Sequence, residues 1–198
     1  MTGGPTDKWI ASARDNPDIV YSGSDTMMTD FVYAIRCHRQ PGRLSALSAS
    51  AGHAGQTRQS EKIRHFTDMT KPGIKVLVAN GAGQNGVWED AAGRLGNIRT
   101  VRALRNNIVY HARNSAEAKD YRISHPDTDV CLIWNIWQVP NPKLADAVPI
   151  ESKYVVYRDT AVALTRKGKA RQAAIDFTSF LKSSEGQAIY KKRGWITG

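Results

Sequence analysis

Apolar residues fall in two rhythms along this 198-residue chain. Short, nearly unbroken runs occur in "DIVYSGS" (18–24), "IKVLVAN" (74–80), "DVCLIWN" (129–135) and "YVVYRDTAVALT" (154–165). Runs of that length, rich in β-branched residues, predict buried strands; the last reads as one long strand or a hairpin. Elsewhere apolar positions recur every three or four residues. Pro5 suits the first turn of a helix carrying Trp9, Ile10 and Ala13. Ser24 reads as the N-cap of a helix with Met27, Met28, Phe31, Val32 and Ile35 at helical spacing. A short helix is expected from Val87 to Leu95, closed by Gly96. "TVRALRNNIVYHARN" (100–114) and "SAEAKDYRISH" (115–125) read as two more, the second capped by Ser115. The chain ends with "KARQAAIDFTSFLKS", which points Ala173, Phe177, Phe180 and Leu181 toward a core, and "SSEGQAIYKKRGW". Buried strands alternating with helices predict an α/β architecture with largely parallel sheets.

Residues 36–60 follow neither rhythm. They matter for charge: residues 36–65 hold Arg36, Arg39, Arg43, Arg58, Lys62 and Arg64 against Glu61 alone, half of the net +10. A nucleic-acid surface is one reading of that excess. The stretch lacks aromatics to stack bases and is rich in small polar residues, which favours a solvated, poorly ordered segment. No run approaches the roughly 18 apolar residues of a membrane span. The N-terminus lacks the basic-then-apolar pattern of a secretory signal, so the sequence as written predicts a chain not exported on its own. Cys37 and Cys131 show no disulfide-framework or zinc spacing, and no metal is expected. Cys37-His38 raises a thiol nucleophile, but no acid stands beside it in an ordered context, and no catalytic residue is assigned.

The sharpest motif lies at the end of the second run. Gly81 to Gly86, "GAGQNG", matches the G-x-G-x-x-G of a dinucleotide-binding turn. That fold also requires a second strand and an acid about 20 residues on for the ribose. "VRALRN" (101–106) is helical in character and basic, which argues against a nicotinamide cofactor. What survives is more general: a strand opening into a helix offers unpaired amides to an anion. "TGGPT", "SGSDT" and "WNIW" repeat that strand-to-helix design. In open α/β sheets such carboxyl-end loops lie together. Tyr157 and Arg158 add a hydroxyl and a fixed positive charge.

"DIVYSGSDTMMTDF", "KPGIKVLVANGAGQNGVWEDAAGR", "LIWNIWQVPNPKLADAVPI", "YRDTAVALTRKGK" and "FLKSSEGQAIYKKRGW" together resemble the type II periplasmic solute-binding proteins, in their molybdate/tungstate-binding-like branch. The resemblance implies an α/β fold of two lobes, lobe 1 from residues 1–70 and 158–198 and lobe 2 from 71–157. It implies a non-enzymatic, monomeric binder that holds a small anion such as molybdate or tungstate between the lobes for an ABC-type transporter. It implies a periplasmic location, no cofactor and no nucleic-acid partner. Against the family's pattern the chain starts near the second strand, so a first lobe truncated at its N-terminus is expected. Carried over by position, the implied ligand-binding residues are Gly4, Thr6, Ser22, Ser24, Gly81, Ala82, Gly83, Gln84, Asn85, Trp134, Asn135, Tyr157 and Arg158. Oxyanions in that family are held mainly by backbone amides and neutral hydroxyls. A nucleic-acid binder and a nucleotide-dependent enzyme using "GAGQNG" remain the alternatives.

Overall fold

The computed structural model describes residues 11, 17–35, 44–55 and 62–197, with 44–55 described by backbone alone. The expected helix from Pro5 and the Cys37-His38 pair lie outside the described residues. The chain divides into two compact units, residues 1–49 with 158–198, and residues 50–157. Residues 50–70, assigned from the sequence to the first lobe, group with the second unit.

The second unit is built on a sheet that is buried on both faces. β3 (Val76–Ala79) lies between β4 (Ile108–Ala112) and β5 (Val130–Trp134), all three parallel. The carboxyl half of β2 (Leu44–Gly55) adds antiparallel to β5, pairing Ala51 with Trp134 and Gly55 with Val130. The short β6 (Asp146–Val148) pairs antiparallel with the end of β2. Because side chains alternate along a strand, β3 and β5 feed two separate cores. Val76, Val78, Val130, Leu132 and Trp134 pack on one face, with Ile63, Phe66, Met69 and Leu104. Leu77, Ala79, Cys131 and Ile133 pack on the other, with Ala118 and Trp137. Helices α2 (Val87–Gly93) and α3 (Ile98–Asn107) cover the first face, and α4 (Ser115–Ser124) the second.

Two expectations need correction here. "TVRALRNNIVYHARN" is not one helix: it turns from α3 into β4 at Asn107. Val101, Leu104 and Ile108 keep helical spacing across that boundary and all pack on one core, so periodicity alone runs through it. What breaks the helix is tertiary. The Asn107 side-chain amide donates to the carbonyls of Met69 and Lys71, both at 2.7 Å. The cap of α4 is Asn114 rather than Ser115; its Oδ1 accepts the Glu117 amide at 2.8 Å.

In the first unit β1 (Ile19–Ser22) pairs antiparallel with β7 (Tyr157–Leu164), Ser22 opposite Ala161. The run 154–165 thus holds one strand, Tyr157–Leu164, preceded by a short 3-10 turn at Ser152–Tyr154. The unit's helices are α1 (Asp25–Ile35), α5 (Arg166–Lys169), α6 (Gln172–Lys182) and α7 (Ser184–Lys192). As expected, Met27, Met28 and Phe31 are buried on α1. The phase of α6 differs from expectation. Ala174, Thr178 and Leu181 face inward, while Ala173 and Phe177 are exposed. Thr178 can be buried because its hydroxyl donates to the Ile175 carbonyl at 2.9 Å.

Candidate strand-end loop site

The parallel strands β3, β4 and β5 end on one side of the second unit, and their following loops meet there. After β3, Asn80 donates its amide to the Ala112 carbonyl at 2.8 Å, joining the loop to the end of β4. Gly81 comes next, and it is jammed against the neighbouring loop. A Cβ there would stand 1.7 Å from the Arg113 carbonyl oxygen, so only glycine permits the approach. Residues Ala82–Gln84 form one 3-10 turn, with the Gln84 amide donating to the Gly81 carbonyl at 3.0 Å. The Asn80 side-chain oxygen accepts the Gly86 amide at 3.1 Å and closes the loop. Gly86 has φ +72°, a left-handed conformation that favours glycine. The motif's glycines therefore serve close packing and a tight turn. The helix they open is only seven residues long.

Gln84 ties three loops together. It is buried, 7% exposed. Its Oε1 accepts the Trp134 amide at 3.3 Å, at the end of β5. Its Nε2 donates to the Ser115 hydroxyl at 3.4 Å, at the start of α4 where the chain returns from β4. Gly83 is buried and Asn85 is exposed beside it. Trp134 directs its indole into the first core, and Asn135 begins a 3-10 turn to Trp137. The sequence reading did not include the Arg113–Ser115 loop, which follows from β4 having been read as helix. The missed signal was the "RNS" capping pattern at 113–115, two residues after the strand-favouring "IVY" at 108–110.

Charge at the rim of this loop cluster is internally matched. Glu117 accepts from the Tyr110 hydroxyl and from Arg113 Nε, the latter at 2.8 Å. Those two donors, Tyr110 first, hold its carboxyl below the ordinary range. The same contact pushes Tyr110 and Arg113 up. At the carboxyl end of β4 stand Ala112, Arg113 and Asn114, with no acid placed to bind a ribose. Cys131 is a free buried thiol, pushed up to about 12 by burial, and is inert at neutral pH. Among the described residues no group of His, Cys, Asp and Glu is arranged to hold a metal ion.

In the first unit, Ser22 and Ser24 are buried in the turn from β1 into α1. The Ser24 hydroxyl accepts the Met27 amide at 3.2 Å, making it the N-cap expected from the sequence. The Ser22 hydroxyl donates to the Ser24 carbonyl at 3.0 Å. Both hydroxyls thus build the turn. Arg158 is half-buried near the start of β7, and Tyr157, which closes the second unit, is exposed. Gly4 and Thr6 lie outside the described residues.

In open α/β sheets, ligands bind beside the carboxyl ends of the strands, which is where these loops gather. The chain belongs to the bacterial extracellular solute-binding protein family, whose model it matches over residues 1–196. Its fold is the type II periplasmic binding-protein fold. It is similar to Peb3 from Campylobacter jejuni, with 30% identity and a TM-score of 0.78, covering 98% of this chain and 86% of that one. A second structure of PEB3, bound to L-phospholactate, matches at 30% identity and a TM-score of 0.79, with the same coverage. The sulfate-binding protein SubI from Mycobacterium tuberculosis H37Rv shares the fold at 16% identity and a TM-score of 0.78, over 98% of this chain and 74% of that chain. The periplasmic molybdate-binding protein of Azotobacter vinelandii shares it at 13% identity and a TM-score of 0.70, over 98% of this chain and 85% of that chain. Family and neighbours are binding proteins, not enzymes. No match was found among curated protein sequences.

Proposed function

We propose that the chain binds a small tetrahedral anion and delivers it to an ABC-type transporter, working as a monomer. The ligand class covers molybdate, tungstate, sulfate and a phosphoryl group. The observation that carries this reading is the convergence of three strand-end loops around the buried Gln84. Gly81, Ala82, Gly83 and Asn85 would present main-chain donors, and Asn135 would add to them from the end of β5. Main-chain amides satisfy an anion without a full counter-charge, so the absence of a lysine or arginine in the loop is no obstacle. Ser22, Ser24, Tyr157 and Arg158 are proposed contacts of the same kind, on the resemblance to the family. The likeness to PEB3 with L-phospholactate bound adds a phosphorylated carboxylic acid to the candidates.

A thermal-melting scan of the full chain tests the reading, with molybdate, tungstate, sulfate, phosphate and L-phospholactate each added in turn. A true ligand at about 100 times its dissociation constant stabilises by roughly 2.7 kcal/mol, several degrees in melting temperature. If none of the five moves the transition, the proposal fails. Gln84→Ala should abolish the ligand-induced shift while lowering the unliganded melting temperature only slightly. Full retention of the shift would remove the loop cluster from the site.

A further inference from the structure

We propose that the turn joining α2 to α3 is a docking surface for an anionic lipid bilayer, independent of ligand binding. Residues 91–112 contain Arg94, Arg99, Arg102 and Arg105 and no Asp or Glu. Residues 50–157 hold 14 Lys and Arg against 10 Asp and Glu, a net +4, so this one stretch accounts for the whole excess of the second unit. Arg105 is committed elsewhere: it pairs with Glu89 at 3.1 Å and lies 5.5 Å from the centre of the Trp88 ring. Arg94, Arg99 and Arg102 are exposed, and no ion pair engages them among the described residues.

Between these arginines two large aliphatics stand in solvent. Leu95 is 53% exposed and Ile98 is 58% exposed. They flank the turn that follows α2, with Gly96 at φ +68° and the Asn97 side chain capping α3 through the Arg99 amide at 3.0 Å. The rest of α3 is anchored inward by Val101 and Leu104, so the turn cannot fold its aliphatics into the core. Two protruding aliphatics ringed by unpaired arginines match the interfacial pattern, in which apolar tips enter the acyl boundary while cations meet lipid phosphates. The patch has no aromatic face for a base to stack on, which disfavours a nucleic acid.

Co-sedimentation of the full chain with vesicles tests this, comparing phosphatidylglycerol/phosphatidylcholine mixtures with phosphatidylcholine alone. Binding is expected to the anionic vesicles only, and to weaken as salt is raised. Arg94→Glu/Arg99→Glu/Arg102→Glu should lower the partition coefficient by about a hundredfold. Leu95→Ser/Ile98→Ser should lower it while leaving the salt dependence in place. Lys182→Glu/Lys191→Glu/Lys192→Glu makes the same charge change on exposed residues of α6 and α7 and should leave binding nearly intact. Three results would overturn the proposal: no binding to anionic vesicles, equal loss in both triple variants, or an apolar-dependent dimer in place of vesicle binding. The melting temperature of each variant checks that it is folded.

Discussion

The two units of this chain bury their apolar residues differently. Both extended core clusters lie in residues 50–157, one on each face of the parallel sheet. In the first unit the described buried apolar residues are a smaller set: Val20 on β1, Met27, Met28 and Phe31 on α1, Ala161 and Val162 on β7, and Ala174 and Leu181 on α6. In the second unit β3 and β5 are buried along their whole length, and a strand packed on both sides has no face left to reorganise. A loop cluster held by one buried glutamine is placed reproducibly only on such a support. In the first unit, the turn from β1 into α1 already uses its two serine hydroxyls on its own backbone.

The sharpest way to break that comparison is to cut one residue from each core. Phe66 is fully buried and stacks on Tyr154 with ring centroids 4.4 Å apart. Phe66→Ala should cost about 4 kcal/mol, while Leu181→Ala in the first unit should cost nearer about 2 kcal/mol. Urea unfolding of both variants measures the difference, and equal losses would mean the units are equally well packed.

A smaller effect concerns how the second unit is tied at its start. Asp68 accepts the amides of Arg64 and His65 at 2.9 and 2.8 Å, and Lys71 pairs with it at 2.6 Å. The Lys71 ammonium above all, helped by those amides, holds its carboxyl down at about 2, below an ordinary value of 3.8. A depressed carboxylate contributes stability that is fully present above the unfolded value and is lost as pH falls through the folded one. Stability should therefore drop between about pH 4 and pH 2. Asp68→Asn should cost about 1–3 kcal/mol at neutral pH and flatten that part of the profile. Denaturant midpoints taken at several pH values would show whether the slope stays.

The smallest effect sharpens the account of α6. Phe177 is 50% exposed, so Phe177→Ser should change stability by no more than about 0.5 kcal/mol. A loss of several kcal/mol would restore the inward-facing Phe177 that apolar spacing predicts.

Strands β1, β3, β5 and β7 follow directly from the chain, because they depend on local chemistry. The all-buried runs of β3 and β5, the Ser24 cap and the left-handed turn at Gly96 each need only neighbouring residues. The helix before Gly96 ends at Gly93, two residues short of the expected Leu95. Three features needed the fold. β2 was invisible, since "LSALSASAGHAG" (44–55) has no apolar contrast, and its pairing is supplied by β5 and β6. β4 was masked because Ile108 continues the helical spacing of Val101 and Leu104, while the contacts of Asn107 that end the helix come from residues 69 and 71. The phase of α6 turned on Thr178, a polar residue whose hydroxyl is satisfied within its own helix.

The candidate site divides along the same line. "GAGQNG" announced a loop shaped for close backbone approach, and that much is a property of glycine. What presses on Gly81 is the Arg113 carbonyl, and what Gln84 grips is Trp134 and Ser115, partners 32, 50 and 31 positions away along the chain. Spacing in sequence records what each residue can do with its neighbours. Only the parallel order of β3, β4 and β5 decides which distant loops those residues meet.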